Sequence, residues 1–235
     1  MESTKRRLSL ISILALGQLW MAASDGHATL IGTVVTAPGS SVIPGLVAPG
    51  TDPGTLLAVV SAPFTTSLGL NSGTLVSAVF REASGTLDFY YQVTNNATGP
   101  NCGGAGVPCD PLSRETDSSF RGFDTSTGFR TDGASLPGGS FVDGSVAPVT
   151  ADRNAAGNVV GFMYGPPDSA KLQPGQVSNV LVISTNATDF TAGNASVIDG
   201  GVTTVASFQP VPEPAALLLI GGGLIGLVRL GRPRG

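Results

Sequence analysis

Apolar and polar residues in the middle of the chain alternate with a period of two. In the stretch GTLDFYYQVTNN starting at Gly85, Leu87, Phe89 and Tyr91 fall on one face and Asp88, Tyr90 and Gln92 on the other. That is the signature of a β-strand, whose successive side chains point to opposite sides. Two further runs open with the same Gly-Thr-Leu: Gly54 leads into TLLAVVSAPF and Gly73 into TLVSAVFRE. The three glycines are 19 and then 12 residues apart, an uneven spacing that marks strand starts rather than a solenoid repeat. Ser145–Thr150, Asn158–Tyr164, Val177–Thr185, Asn194–Ile198 and Gly201–Phe208 are further strand candidates. Pro-Gly steps at Pro38, Pro44, Pro49, Pro53, Pro137 and Pro174 supply turns, since proline presets φ and glycine accepts positive φ. Many short strands with regular turns predict an all-β fold, an antiparallel β-sandwich of jelly-roll-like type, over residues 29–209.

Both ends of the chain break this pattern. Met1–Arg7 (MESTKRR) is basic and Leu8–Leu16 (LSLISILAL) is apolar, and Gly26-His27-Ala28 places small residues at −3 and −1 of a cleavage point. This predicts a signal peptide over residues 1–28, cut after Ala28, with Ala22-Ala23-Ser24 as a second possible site. A transmembrane helix is disfavoured there because the apolar run breaks at Gln18. At the other end, Val211-Pro212-Glu213-Pro214 precedes the apolar run Ala215–Val228 and a basic tail with Arg229, Arg232 and Arg234. As a helix those 14 residues cover about 21 Å, short of the roughly 30 Å hydrocarbon core. The run is therefore a transmembrane segment of marginal length, softened by Gly221, Gly222, Gly223 and Gly226. Positive charge stays cytoplasmic, so the body lies outside. Each proline disfavours helix at the residue before it, which makes 211–214 an extended strap at the membrane surface.

Val211–Pro214, the apolar run and the arginines resemble, in this order, the PEP-CTERM sorting signal of exported bacterial proteins. The resemblance implies domains at 1–28, 29–209 and 210–235, passage through the secretory translocon and signal peptidase, and transient anchoring in the membrane. Processing by an exosortase-type membrane protease is also implied, followed by residence at the cell surface or in the extracellular matrix of a Gram-negative-type bacterium. The family setting adds exopolysaccharide and biofilm as surroundings. In the body, Thr86–Asn96, Leu181–Ala187 (LVISTNA) and Ile198–Gly201 (IDGG) resemble elements recurrent among such exported proteins. That likeness carries no established activity.

Composition narrows the body's chemistry. Residues 29–209 hold 13 acidic and 6 basic side chains, a surplus of negative charge that disfavours nucleic acid as a partner. His27 is the only histidine and leaves with the signal peptide or stays at the extreme N-terminus. A mature domain without histidine has no Ser-His-Asp or Cys-His machinery and no imidazole ligand for zinc. The chain thus reads as non-enzymatic, with no cofactor and no metal expected. Cys102 and Cys109, the only cysteines, suit a disulfide in an exported protein better than a metal pair or a nucleophile, neither of which a histidine supports. Closing that short loop contributes roughly 2.5 kcal/mol in the chain-entropy model.

Three weaker patterns remain. Asp152-Arg-Asn154-Ala-Ala-Gly157-Asn158 has the spacing of an incomplete calcium loop and, more simply, of a hairpin turn. Ser118–Gly133 interleaves Phe120, Phe123 and Phe129 with Arg121, Asp124, Arg130 and Asp132. This suits strands with inward aromatics, or a sugar-stacking surface that would make the domain a carbohydrate-binding module. Asp110, Glu115 and Asp117 supply carboxylates, the one remaining route to hydrolase chemistry.

Overall fold

The structure is a computed structural model and describes residues 30–99, 102–199 and 201–211. Its strands, in chain order, are β1 (Val34–Val35), β2 (Ser41–Val42), β3 (Gly45–Leu46), β4 (Thr55–Thr65), β5 (Ser72–Arg81), β6 (Leu87–Asn95), β7 (Thr98–Gly99) and β8 (Gly104–Pro108). They continue with β9 (Arg114–Ser118), β10 (Thr125–Arg130), β11 (Thr150–Arg153), β12 (Val159–Met163), β13 (Val180–Thr185), β14 (Phe190–Asp199) and β15 (Gly201–Pro210). Among the described residues there is no α-helix, and no helix is long and apolar enough to cross a membrane.

The strands form an antiparallel sandwich. One sheet runs β1-β10-β13-β6-β5-β4, with β3 added parallel to β10; the other runs β15-β14-β9-β12-β11-β2. A small ribbon pairs β7 with β8. The three Gly-Thr-Leu runs become the meander β4-β5-β6, in register from Thr74↔Thr94 to Arg81↔Leu87 between its last two strands. Gly85, at φ 92°, makes the turn that joins them. Between the sheets, Leu75, Val79, Leu87, Phe89 and Tyr91 pack with Phe120, Val160, Phe162, Val197 and Val205. Phe89 and Phe120 meet edge to face at 5.6 Å. Each such side chain contributes about 1.5–3 kcal/mol on burial.

The period of two in β6 is as read from the sequence, but its second face is also buried. Segments on both sides of the meander in sequence fold over the outside of the first sheet, and Leu30, Val47, Leu136 and Phe141 pack there on Val76, Phe80, Tyr90, Val180 and Val182. This second core hides polar groups and must satisfy them. The Gln92 amide donates to the Val142 carbonyl (2.7 Å) and the Ser178 carbonyl (2.9 Å), and accepts from the Val142 amide (3.0 Å). Arg130, 1% exposed, is forked onto Asp132 through Nε and Nη2 at 3.0 and 2.9 Å. That hydrogen bonding holds the Asp132 carboxyl down at about 2.

One expected strand is absent. Within Ser145–Thr150 the links are isolated, a bridge of Val146 with Ser178 and single backbone bonds from Ser145 to Val177 and from Val149 to Met163, and Thr150 opens β11. Pro148 interrupts the run, having no N–H to give to a ladder. The sequence reading missed β9 (RETDS) and all of β11 (TADR) but its first residue, both polar, as well as the short strands β1, β2, β3, β7 and β8.

Candidate functional site

Each candidate is best judged by what its side chains touch. The last strand comes first, because it delivers the chain to the sorting strap. β15 pairs with β14 over ten residues, from Asp199↔Gly201 to Phe190↔Pro210. The Val211 amide then donates to the Asp189 carbonyl at 3.1 Å. The ladder and its closing bond therefore run up to Val211, the residue directly before the Pro-Glu-Pro sequence. Ala28, Pro212, Glu213, Pro214, Arg229, Arg232 and Arg234, together with the apolar run 215–228, lie outside the described residues.

Cys102 and Cys109 are bonded, their Cα atoms 4.6 Å apart and both side chains buried. The bond staples the β7–β8 ribbon, which docks on the β4–β5 turn: the Gly103 amide donates to the Gly69 carbonyl (2.8 Å) and the Asp110 amide to the Leu70 carbonyl (3.0 Å). The purified exported domain should accordingly titrate no free thiol when unfolded without reductant, and two after reduction. Two thiols in the unreduced protein would overturn the assignment.

The incomplete calcium loop is a hairpin turn between β11 and β12. Asn154 Oδ1 accepts from the amides of Asn158 (2.8 Å) and Val159 (3.2 Å), and Gly157 takes φ 69°. Asp152 is held by Arg114 at 2.7 Å. Its oxygens are therefore committed to a guanidinium on the outer face of the second sheet. The described residues contain no group of three or more His, Cys, Asp or Glu side chains placed to hold a metal.

The aromatics of Ser118–Gly133 do not make an exposed platform. Phe120 lies in the main core, while Phe123 and Phe129 are half-buried. Beside them is a cleft of about 330 Å³ lined by Val35, Thr36, Ala37, Pro38, Asp124, Thr125 and Arg153. Arg153 spends its donors on the fold: Nε on the Gly157 carbonyl (3.0 Å), Nη2 on those of Phe120 (2.7 Å) and Phe123 (2.8 Å), and Nη1 on that of Thr36 (3.5 Å). This arginine clamps the loop between β9 and β10 against the β11–β12 turn, and has little left for a ligand.

The carboxylates divide. Asp110 is exposed, next to the disulfide. Glu115 and Asp117, two apart on β9, both face inward and are 0% and 1% exposed, while Arg114 on the same strand faces out to Asp152. Among the described residues outside the pair, none donates a hydrogen bond to these carboxylate oxygens. Tyr91 is close enough to favour the charged form of Asp117 without reaching hydrogen-bonding geometry, its hydroxyl donating instead to the Phe208 carbonyl at 3.4 Å. Burial pushes Glu115 up to about 7. Burial and the neighbouring Glu115 charge raise Asp117 well above its ordinary value. No substrate reaches two acids closed between the sheets, so the pair is a feature of the core rather than a glycosidase site. Charged residues at inward positions are also why β9 was not legible as a strand.

Residues 210–234 match the family model of the PEP-CTERM protein-sorting motif. No curated protein and no solved structure matches the chain. The motif and the fold together define a class: an exported all-β domain, sorted at its C-terminus through exosortase, a membrane protease. In this chain the motif begins at Pro210, the last paired residue of β15.

Proposed function

We propose that the chain is a non-enzymatic protein of the cell surface or extracellular matrix, led out by a signal peptide and cut from its membrane segment near Val211–Pro214. The observation that carries this reading is the direct junction between β15 and the sorting motif at Pro210. The five steps from Pro210 to Ala215 span at most about 18 Å, even when fully extended. While the apolar run is in the membrane, with the arginines inside, the sandwich is thus held against the outer surface with its C-terminal edge presented to a membrane protease. An acidic, disulfide-stapled β-sandwich also suits an oxidising exterior.

The experiment is fractionation of native cells with a tagged chain, together with a glycan array on the exported protein. The reading expects the processed domain in the surface or matrix fraction and no defined glycan bound. Specific glycan binding would make the domain a carbohydrate-binding module. A carboxylate-dependent hydrolytic activity would make it an enzyme. Either result replaces the proposal.

A further inference from the structure

β4 is the longest of the described strands, 11 residues, and forms one edge of the first sheet. Close beside it runs one edge of the second sheet, the ten-residue β15. The opposite edges are blunted by brevity, since β1, β2 and β3 have two residues each. Neither long edge carries a charged side chain. An edge strand offers unpaired N–H and C=O groups to any other strand, and proteins guard it with charge, proline, a bulge or short length. β4 has a bulge at Leu57 and a proline at Pro63. The stretch between them, Ala58–Ala62, has no such guard.

The ladder shows which groups of that stretch are open. The Thr66 amide donates to the Asn71 carbonyl at 3.0 Å, which makes these two a hydrogen-bonded pair. Bonded and non-bonded pairs alternate along an antiparallel ladder. Ala58, Val60, Ala62 and Phe64 therefore spend their backbone groups on β5, while Val59, Ser61, Pro63 and Thr65 turn theirs to the open side. Pro63 thus lies where its missing N–H costs no ladder bond. The side chains of Val59 and Ser61 are exposed, Val59 at 40%. Among the described residues no strand pairs with β4 on that side.

We propose that this edge pairs with the same edge of a second copy of the chain, antiparallel, about a two-fold axis at Val60. The unguarded stretch is centred on Val60 and is complementary to itself. Val59 and Ser61 of each copy exchange backbone hydrogen bonds with Ser61 and Val59 of the other, and Ala58 meets Ala62, small against small. Leu57, in the bulge, falls opposite Pro63 of the second copy, so the new ladder ends at both sides where neither can continue it. Charge selects the occupant. The body is acidic and two copies repel, yet along β4 they meet without a charge. The charged residues nearest in the sheet, Arg81 opposite Thr55 and Glu82 after it, lie at one end of β4. Antiparallel pairing carries that end away from its own copy. A partner chosen for opposite charge would find none on this edge to recognise.

The test is sedimentation of the exported wild-type protein over a range of concentrations, beside Val59→Lys, Val60→Cys and Thr55→Cys. The expected result is a wild-type monomer–dimer equilibrium whose dissociation constant rises roughly tenfold or more in Val59→Lys, because an edge lysine opposes strand pairing. The two copies of residue 60 would face each other with Cα atoms about 4.5 Å apart, within disulfide reach. Val60→Cys should therefore join two copies through a 60–60 bond, mapped by mass spectrometry. Thr55→Cys, roughly 33 Å from its own copy in this register, should not. A wild type that is monomeric throughout overturns the proposal. So does a dimer that Val59→Lys leaves intact or that Val60→Cys does not link, since the copies then meet elsewhere. A stable complex with a different protein, lost in Val59→Lys, gives the edge to that partner and overturns the proposal equally. Should Val59→Lys fail to fold, the wild type and the two cysteine forms decide by themselves.

Discussion

Replacing Glu115 and Asp117 together by glutamine and asparagine should make the exported domain more stable at pH 8 and leave it little changed at pH 4. Burial raises both acids in the folded protein, Glu115 to about 7, whereas the unfolded chain releases its protons near 4. Between those values the native state binds more protons than the unfolded state, so stability falls as pH rises. The contribution of the neutral pair is complete below about pH 4 and is lost as pH climbs through the folded values, at about 1.4 kcal/mol per proton per pH unit. The groups facing the pair from the elements around it are Tyr91 and Tyr164, both themselves pushed up by burial, and neither is a cation. Arg114 offsets the burial of Glu115 only from the opposite face of β9, where Asp152 already engages it. For a domain of this size each kcal/mol so gained by the double amide should raise the unfolding midpoint at pH 8 by about 2–4 °C. Thermal melts of the two proteins from pH 4 to pH 9 read this directly. Parallel pH profiles would show that the two carboxyls titrate alike in the folded and unfolded chain.

The second large effect concerns the strap. Glu213→Ala combined with Pro214→Ala should leave export intact and reduce the processed form by tenfold or more. The double change removes the charged residue of the motif and one of the two prolines that keep the backbone extended. A protease needs an unfolded substrate backbone, and here the last hydrogen bond of the fold, from Val211 to Asp189, lies directly beside the strap. The check is the C-terminal peptide by mass spectrometry from native cells. Wild-type protein at the surface that still carries Ala215–Gly235 would show that the run is only an anchor.

How much of this was legible in the sequence depended on which side of a strand the polar residues took. β5, β6, β12 and β15 were readable because Val, Phe, Tyr and Thr alternate in them and glycine opens three of the runs from which the meander is built. The cysteine pair was readable from the compartment and the short spacing. β9 was hidden because Glu115 and Asp117 occupy inward positions that alternation assigns to apolar residues. The burial of Asp88 was equally hidden. Alternation fixes which residues share a face of β6, but it carries no information about the remote segments, around Leu30 and Phe141, that cover that face. The incomplete calcium loop shows the reverse case, in which spacing suggests a ligand set and a single neighbour, Arg114, takes its first oxygen ligand.

The ten-residue ladder between β14 and β15 also decides how the domain answers to force. A pull applied at Val211 in the direction of β15 acts along that strand. Ladder hydrogen bonds in an antiparallel pair run perpendicular to the strands. Such a load therefore acts on all of them side by side in shear, rather than opening them one at a time as a zipper does. Tension so directed is shared across the ten register pairs from Asp199↔Gly201 to Phe190↔Pro210.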